Sequence, residues 1–331
     1  MWIWPLVRRI RKIRAGIMPV WYERQLLKQY NTSVVDCQLT GIVSMQDDFF
    51  SSGGLVDRIK GIVTGYFLAQ ELGIDFHIFF SDVHDPMISI IKKERIHLIF
   101  DRNQLDFSKK VSAPVVFYNY RPEALSRVKR KMNRKSQLHF YSNMDLLFLL
   151  HKDEKGRNKI WSDLFKHIFD PAIYGSMSAD GGVNSGSIGI HLRFIGLLGD
   201  FKDLRQYVLS DEDKNRMLEW CSEKICKIAS QHDDPIIVVS DSVLFLKSIM
   251  LDSKANGFFP KLVLDPVSIG HTALENAAGV FEKAVIDFNS LSSCKKVYQL
   301  RYGKMHNSDF SRYASMVNSN EFELVESDGT K

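Results

Sequence analysis

Cysteine and proline are scarce in this sequence, and long apolar runs are absent. The four cysteines, Cys37, Cys221, Cys226 and Cys294, lack the two-residue gap that zinc ribbons and redox motifs require. We therefore expect buried thiols in a reducing cytosol rather than disulfides. No stretch reaches the roughly 18 to 20 apolar residues of a membrane-spanning helix. These absences argue against a disulfide-stapled fold and against a chain that spans a bilayer.

The composition that remains is typical of a folded protein, with 45% hydrophobic and 25% charged residues. A chain of 331 residues is long enough for two domains of about 150 residues, each with its own core. A polar, glycine-rich stretch at 176–187 cannot easily be buried and is the expected boundary. The predicted parts are residues 1–30, an N-terminal domain of residues 31–180 and a C-terminal domain of residues 181–331.

Positive charge is concentrated at the N-terminus. Residues 1–30 contain seven basic side chains and one acidic one, whereas the whole chain has a net charge of +5, so the remainder sums to about −1. This local bias argues against a nucleic-acid-binding surface on the folded body. Trp2, Trp4 and Trp21 are mixed with these cations in residues 1–22, a pattern typical of a helix that lies on an anionic membrane surface. An amphipathic helix docked on its own domain is the alternative.

Hydrophobic patterning alternates between short apolar runs and helical periods, which indicates an α/β fold with parallel sheets. A strand, a glycine loop, a helix and a second strand follow one another within residues 34–80, and the alternation resumes after residue 187. Two successive Rossmann-like domains facing a central cleft, the GT-B architecture, are the predicted fold. Strands are predicted at 34–43, 74–80, 96–100, 115–118, 137–141, 188–192, 236–239, 261–264 and 296–300, and helices at 55–72, 211–231, 272–283 and 311–317, with others beginning at 145 and 243.

Polar residues follow several of these strands, where ligands of open α/β sheets bind. Two of these strand ends are His191-Leu192-Arg193 and Ser240-Asp241-Ser242. Three further segments are polar or glycine-rich: a predicted helix start at Ser308-Asp309-Phe310-Ser311, Asp287 after the predicted helix, and the loop from Gly53-Gly54 to Arg58 in the first half. In this order the segments resemble those of the fucosyltransferase-like superfamily, over about residues 40–318. The sequence departs from that pattern at Asp200, which lies farther from Arg193 than the corresponding acid in relatives.

The resemblance implies a nucleotide-sugar donor, most simply GDP-fucose, whose leaving diphosphate must be stabilised. Arg193 suits two phosphate oxygens because its guanidinium is planar, and pairing with a buried acid at a domain interface is the alternative. Ser308, Phe310 and Ser311 would place a phosphate at a helix N-terminus, or Ser308 is simply a helix cap. The remaining donor-binding candidates are Gly53, Gly54, Arg58 and His191, the last equally plausible in the core.

Carboxylates match the paired N–H donors of guanine, so Asp241 with Ser242, or Asp287, are predicted contacts of the base and ribose. Strand-end acids also cap helices routinely, which is the alternative. His84 and Asp85 follow a first-domain strand and are the candidate catalytic base, or they form a plain Asp-Pro turn. We expect neither a divalent metal nor another cofactor.

Together these features predict an inverting transfer of L-fucose from GDP-fucose to a hydroxyl of a lipid-linked glycan. The expected setting is surface-polysaccharide assembly, with a cytoplasmic protein held peripherally at the inner face of the membrane. Another GDP-sugar as donor, or a catalytically idle membrane-docked protein on the same scaffold, are the alternatives.

Overall fold

A computed structural model describes residues 20–30, 39–47, 53–117, 124–151, 153–177, 186–201, 207–255, 257, 261–265 and 278–329. The chain divides into two compact units, Met1–Phe169 and Asp170–Lys331. The division falls earlier than the one predicted between residues 180 and 181. Residues after 169 pack on the second unit, since Gly175 O accepts a 2.7 Å hydrogen bond from Asn289 and the Tyr174 ring lies against Phe281.

The first unit contains a five-stranded parallel sheet in the order β3-β2-β1-β5-β4. Strands β1 and β5 are neighbours although three strands separate β1 from β5 along the chain. The elements are a helix that includes residues 20–27 (α1), β1 Gly41–Gln46, α2 Leu55–Leu72, β2 Phe76–Phe80, β3 His97–Ile99, β4 Ser112–Phe117, α3 Ala124–Met132, β5 Gln137–Ser142, α4 Leu147–Leu150 and α5 Glu154–Ile168.

Both faces of this sheet are covered, as parallel sheets require. On one face Val43 of β1 packs in a cluster with Leu26 of α1 and with Tyr30, and on the other Ile42 packs with Leu68 of α2. Residues 20–30 therefore pack on the sheet of the first unit, and their predicted assignment to a membrane-associating segment of residues 1–30 stays a prediction. Residues 1–19 lie outside the described part of the chain.

The second unit has a parallel sheet in the order β10-β9-β6-β7-β8, with β6 in the centre. The chain moves outward from β6 through β7 to β8, then returns to the other side of β6 for β9 and β10. The elements are β6 Ile188–Leu192, α6 Asp211–Gln231, β7 Ile236–Ser240, α7 Val243–Ala255, β8 Leu262–Leu264, α8 Ala278–Ser293, β9 Lys296–Tyr302, α9 Asp309–Val317 and β10 Glu321–Ser327.

Alternate residues of β6 face opposite helix layers. Ile188, Ile190 and Leu192 join the core formed with α6 and α7. Gly189 faces α8 so closely that a Cβ atom there would lie 2.8 Å from Leu291 Cδ2. Residues with odd numbers on β6, including His191, thus point toward α8 and α9.

The predicted α/β class is confirmed by a parallel sheet in each unit, and α2, α6 and β6 have the predicted bounds. The helix predicted at 272–283 instead runs from Ala278 to Ser293 in the described residues. Val285, Phe288 and Leu291 are buried at helical spacing, which continues the helix through the segment expected to follow it. Asp287 consequently lies inside α8. Helices α3 and α5 and strand β10 were not individually predicted.

Candidate active site

The candidate site of the second unit lies at the carboxyl end of β6. This is the switch point of the sheet, because β7 lies on one side of β6 and β9 on the other. Arg193 comes directly after β6, and its backbone oxygen accepts a 3.0 Å hydrogen bond from the N–H of His306 in the segment after β9. Open α/β sheets bind ligands at this kind of switch point, outside the carboxyl ends of the strands. The fold therefore brings Arg193 to the position where such a ligand is expected.

The guanidinium of Arg193 is held from two sides and is only partly covered, with 21% of the side chain exposed. Its Nε lies 3.5 Å from Asp241 Oδ2, and its Cζ lies 4.7 Å from the centroid of the Phe201 ring. Toward the described residues its two terminal amino groups make no hydrogen bond. The predicted alternative of a buried acid partner is thus present, and the pair involves the Nε group of Arg193.

Asp241 follows β7 and is buried beneath the loop that carries Arg193. Its two carboxylate oxygens accept hydrogen bonds from the backbone N–H groups of Phe194 at 2.7 Å and Ile195 at 2.8 Å. Burial raises the pKa of this carboxyl, while Arg193 and the two N–H groups oppose that rise. We interpret Asp241 as the support of the Arg193 loop rather than as the predicted acceptor for guanine.

Ser242 and Asp200 meet at the beginning of α7. Asp200 Oδ2 accepts hydrogen bonds from the Ser242 hydroxyl at 2.8 Å and from the N–H of Leu244 at 2.9 Å, and Ser242 Oγ accepts from the N–H of Phe245 at 3.0 Å. Both side chains therefore cap α7. Ser242 is fully buried and supports this helix rather than presenting its hydroxyl to a nucleotide as predicted, and Asp200, whose role was open, ties the Arg193 loop to α7.

His191 and Ser311 connect β6 to α9. His191 Nδ1 and Ser311 Oγ are 3.0 Å apart, both residues are buried, and the imidazole lies against the Phe310 ring with 5.4 Å between ring centroids. Burial, with smaller contributions from Arg193 and His306, lowers the pKa of His191 to about 3. The imidazole is neutral at pH 7, so it orients α9 without adding charge to the site.

Helix α9 begins beside the loop after β9. Ser308 is its N-cap, and the Ser308 hydroxyl accepts a 3.2 Å hydrogen bond from the N–H of Phe310. The N-cap interpretation of Ser308 is therefore correct, and the helix N-terminus predicted for phosphate binding is also present. A helix N-terminus and a guanidinium close to one switch point can together bind an anion with two phosphate groups.

Asp287 does not join this site through a strand end, in contrast to the prediction. It lies within α8, is buried, and forms an ion pair with Lys283 one turn earlier on the helix. Burial raises its pKa to about 6, opposed mainly by Lys283. Lys283 Nζ also lies 3.8 Å from Asp265 Oδ2, after β8. The carboxylate of Asp287 is thus occupied by a buried cation.

The candidate residues of the first unit gather at the carboxyl ends of β1 and β2. Arg58 of α2 donates to Asp85 Oδ2 at 2.6 Å and to Gln46 Oε1 at 3.1 Å. Gly53 has a φ of 80°, and a Cβ there would lie 2.4 Å from Asp57 Oδ2, so glycine is needed at this turn. Gly54 is the N-cap of α2 and makes no side-chain cap.

Of the two candidate bases, Asp85 is structurally occupied and His84 is exposed. Asp85 Oδ1 accepts a 2.8 Å hydrogen bond from the N–H of Met87, so it caps the 3-10 turn Pro86–Ile90 while pairing with Arg58. The Asp-Pro turn interpretation therefore describes Asp85. The backbone N–H of His84 donates to Asp82 Oδ1 at 2.8 Å, and its ring makes no hydrogen bond within the described part of the chain.

In the described residues, no three His, Cys, Asp or Glu side chains converge in a way that would hold a metal ion. Over the same residues, no helix is long and apolar enough to cross a membrane. Cys221 and Cys294 are buried, as expected, whereas Cys226 is half-buried and Cys37 lies outside the described ranges.

Solved structures with a similar fold are fucosyltransferases. The α-1,6-fucosyltransferase NodZ co-crystallized with GDP has a TM-score of 0.50 and 15% identity, over 84% of this chain and 92% of that protein. The fucosyltransferase NodZ from Bradyrhizobium has the same TM-score and identity, over 88% of this chain and 97% of that protein. No protein-family profile and no curated protein sequence matches the chain. The predicted resemblance to fucosyltransferase-like proteins is thus confirmed as a shared fold.

Sequence reasoning missed the residues that hold the predicted ones in place. Gln46 contacts Arg58, and the N–H of His306 holds the backbone of Arg193. Both residues stand at or just after strand ends, which is the one signal that was available for finding them.

Proposed function

We propose that the protein is an inverting glycosyltransferase that takes L-fucose from GDP-fucose. The observation that carries this proposal is the position of Arg193 at the switch point between β6 and β9, with its terminal amino groups unpaired toward the described residues. The fold shared with NodZ, which has been crystallized with GDP, supports a guanosine diphosphate donor. Charge grows on the leaving diphosphate as the glycosidic bond breaks, and a guanidinium beside a helix N-terminus stabilises that charge.

The proposal assigns different roles to the residues around Arg193. Arg193 and the N-terminus of α9, with Ser308 and Phe310, bind the diphosphate. His191 and Ser311 fix α9 relative to β6 through their 3.0 Å contact. Asp241 and Ser242 act one step away, by holding the loop after β6 and the beginning of α7. Gly53, Gly54 and Arg58 of the first unit remain proposed donor contacts, and Asp287 remains a proposed contact of the base only if Lys283 releases it.

Transfer also requires that the acceptor hydroxyl loses its proton. We assign this step to His84, because its ring is exposed and makes no hydrogen bond to the described residues, whereas both oxygens of Asp85 are already used. An imidazole within hydrogen-bond reach of a hydroxyl is a suitable base near neutral pH. His84→Ala should therefore lower kcat for transfer while leaving the affinity for GDP unchanged.

The proposed acceptor is a lipid-linked glycan at the cytoplasmic face of a membrane, as in surface-polysaccharide assembly. The support is the sequence of residues 1–22, in which tryptophans are mixed with five arginines or lysines before residue 15. Such a segment favours an anionic interface. A protein held at this surface would encounter its acceptor by diffusion in two dimensions.

Hydrolysis of GDP-fucose, with release of fucose and GDP, tests the donor site without knowledge of the acceptor. We expect the wild-type protein to hydrolyse GDP-fucose and Arg193→Ala to do so about 100-fold or more slowly. Arg193→Lys should retain part of the rate, because lysine keeps the positive charge but not the planar guanidinium. Arg216→Ala is the matched control, since Arg216 forms an exposed ion pair with Asp213 on the surface of α6. Equal rates in Arg193→Ala and wild type would contradict the proposal.

Calorimetric titration with GDP, UDP and ADP separates the alternatives. Selective binding of GDP with hydrolysis of a different GDP-sugar would retain the site and change only the donor. GDP binding with no hydrolysis of any GDP-sugar, in wild type as in Arg193→Ala, would favour an idle binding protein.

A further inference from the structure

The first unit carries a second basic run that the overall charge conceals. Residues 124–135 contain six lysines or arginines and no acid, within a region of the chain whose total charge is near zero. Two of these cations, Arg127 and Lys131, point inward and contact Glu23 of α1, with Arg127 Nη2 at 2.5 Å and Lys131 Nζ at 3.0 Å.

Three of the remaining cations are exposed, and we call them, together with the exposed Lys109 and Lys110, the α3 patch. Lys129, Arg130 and Arg134 are exposed on and just after α3. Lys135 donates to the backbone oxygens of Lys109 and Lys110, the latter at 3.1 Å, so these two exposed lysines lie alongside. Across the described residues, none of these five exposed cations forms an ion pair. Within the described residues, the α3 patch is therefore positive charge without an acidic partner.

Helix α1, which contacts α3 through Glu23, also carries an exposed aromatic side chain. Glu23 accepts a 3.0 Å hydrogen bond from the N–H of Val116 at the outer edge of β4, in addition to its contacts with α3. Leu26 and Tyr30 are buried in the core, so α1 is fixed on the unit. Trp21, two residues before Glu23, is 48% exposed. An exposed tryptophan, on a helix that contacts the basic helix α3, is a side chain that favours the headgroup layer of a bilayer.

We propose that the α3 patch, together with Trp21, is a folded docking surface for an anionic membrane. This inference deepens the membrane location proposed above, because it adds a surface of the folded unit to the segment of residues 1–22. The patch lies toward the amino ends of β4 and β5, since Lys110 precedes β4 and Arg134 precedes β5. Arg58 and Gly53 lie at the carboxyl ends of the strands, which is the opposite end of this sheet. They should therefore not contact a membrane that is bound through the patch.

The test is binding of the full chain to vesicles of phosphatidylcholine with or without 30 mol% phosphatidylglycerol. We expect binding only to the anionic vesicles, weakening with salt. The patch variant Lys129→Glu/Arg130→Glu/Arg134→Glu should bind about tenfold more weakly or worse. The control variant Lys93→Glu/Lys166→Glu/Lys247→Glu, with the same change in charge at exposed lysines elsewhere, should keep most of the affinity.

A third variant separates this inference from the proposed role of the N-terminal segment. Arg8→Glu/Arg9→Glu/Arg11→Glu reverses three charges of residues 1–22 and leaves the α3 patch intact. Loss of vesicle binding in this variant alone, with the patch variant bound as tightly as the control variant, would overturn the α3 patch and keep the segment. Equal binding to vesicles without phosphatidylglycerol, or release from anionic vesicles by double-stranded DNA at equimolar phosphate, would also overturn it. GDP affinity of the patch variant, expected to be unchanged, shows that it is folded and that the donor site is judged separately.

Discussion

Asp241 Oδ2 lies 3.5 Å from Arg193 Nε, and the same carboxylate accepts hydrogen bonds from the two backbone N–H groups that follow Arg193. A single buried side chain of β7 thus holds both the backbone and the guanidinium of the residue after β6. Ile195 adopts a positive φ of 50°, which is costly for a β-branched residue and requires such support. The proposed diphosphate site therefore depends on an acid that does not need to touch the ligand.

Replacement of Asp241 should damage donor binding through this loop. Asp241→Ala leaves the N–H groups of Phe194 and Ile195 without their acceptor, at about 1–3 kcal/mol each. Asp241→Asn offers one carbonyl oxygen and should have an intermediate effect. We expect a raised Kd for GDP, measured by calorimetry, in the order Ala above Asn above wild type. Asp252→Asn is the control, because among the described residues Asp252 accepts one hydrogen bond, at 3.3 Å from Ser222. A normal GDP affinity in a folded Asp241→Ala protein would contradict the assigned role.

Two helix caps of the second unit should differ in their functional importance. Asp200 caps α7 and connects it to the Arg193 loop, whereas Ser210 caps α6 by accepting a 3.2 Å hydrogen bond from the N–H of Asp213. Asp200→Ala and Ser210→Ala should each lower the free energy of unfolding by about 1 kcal/mol. Only Asp200→Ala should also weaken GDP binding. If both variants bind GDP equally well, Asp200 is a cap and nothing more.

Gly61 of α2 is the point where this helix approaches the end of β5 most closely. A Cβ atom there would lie 1.8 Å from the backbone oxygen of Ser142, which cannot move without disturbing the strand end. The overlap costs more than the roughly 1 kcal/mol that alanine gains over glycine in a helix, so Gly61→Ala should destabilise the protein by about 2 kcal/mol. Gly279→Ala, with no heavy atom of the described residues within 4 Å, should leave stability unchanged or slightly raised. Denaturant unfolding of the two variants measures this difference, and equal stability would refute the close approach.

Two buried histidines should stay neutral at pH values well below the ordinary pKa of histidine. Burial is the main cause that lowers the pKa of His191 and of His139, each to about 3. Below about pH 6.5 these histidines are protonated in the unfolded chain but stay neutral in the folded protein. Each therefore lowers the free energy of unfolding progressively as the pH falls from about 6.5 toward 3. Asp287 has the opposite effect, because its pKa is raised to about 6 in the folded protein. As the pH falls from about 6 to 4, the folded protein binds this proton before the unfolded chain does, so the free energy of unfolding rises. Nitrogen NMR of the imidazole rings should show no titration of either histidine between pH 7 and 5, and a midpoint near 6.5 would contradict their burial.

The sequence was sufficient for the α/β class because helix and strand periods are strong where one face is buried. Helices α2 and α6 and strand β6 were predicted at their observed bounds, and Arg193 was placed at a strand end that proved to be the switch point. The interpretation of Asp241 differed because hydrogen bonds to the backbone of a distant loop leave no trace in residue spacing. The α3 patch was not predicted from the sequence, because the net charge outside residues 1–30 adds this local basic run to acidic residues elsewhere in the chain.

A crystal structure with GDP bound tests the central claim most directly. The account predicts diphosphate oxygens within about 3 Å of the terminal amino groups of Arg193 and of backbone N–H groups at the beginning of α9. It also predicts that Asp241 keeps its hydrogen bonds to Phe194 and Ile195 in the complex. A diphosphate bound away from the switch point, with the Arg193 amino groups turned onto protein partners, would contradict the account.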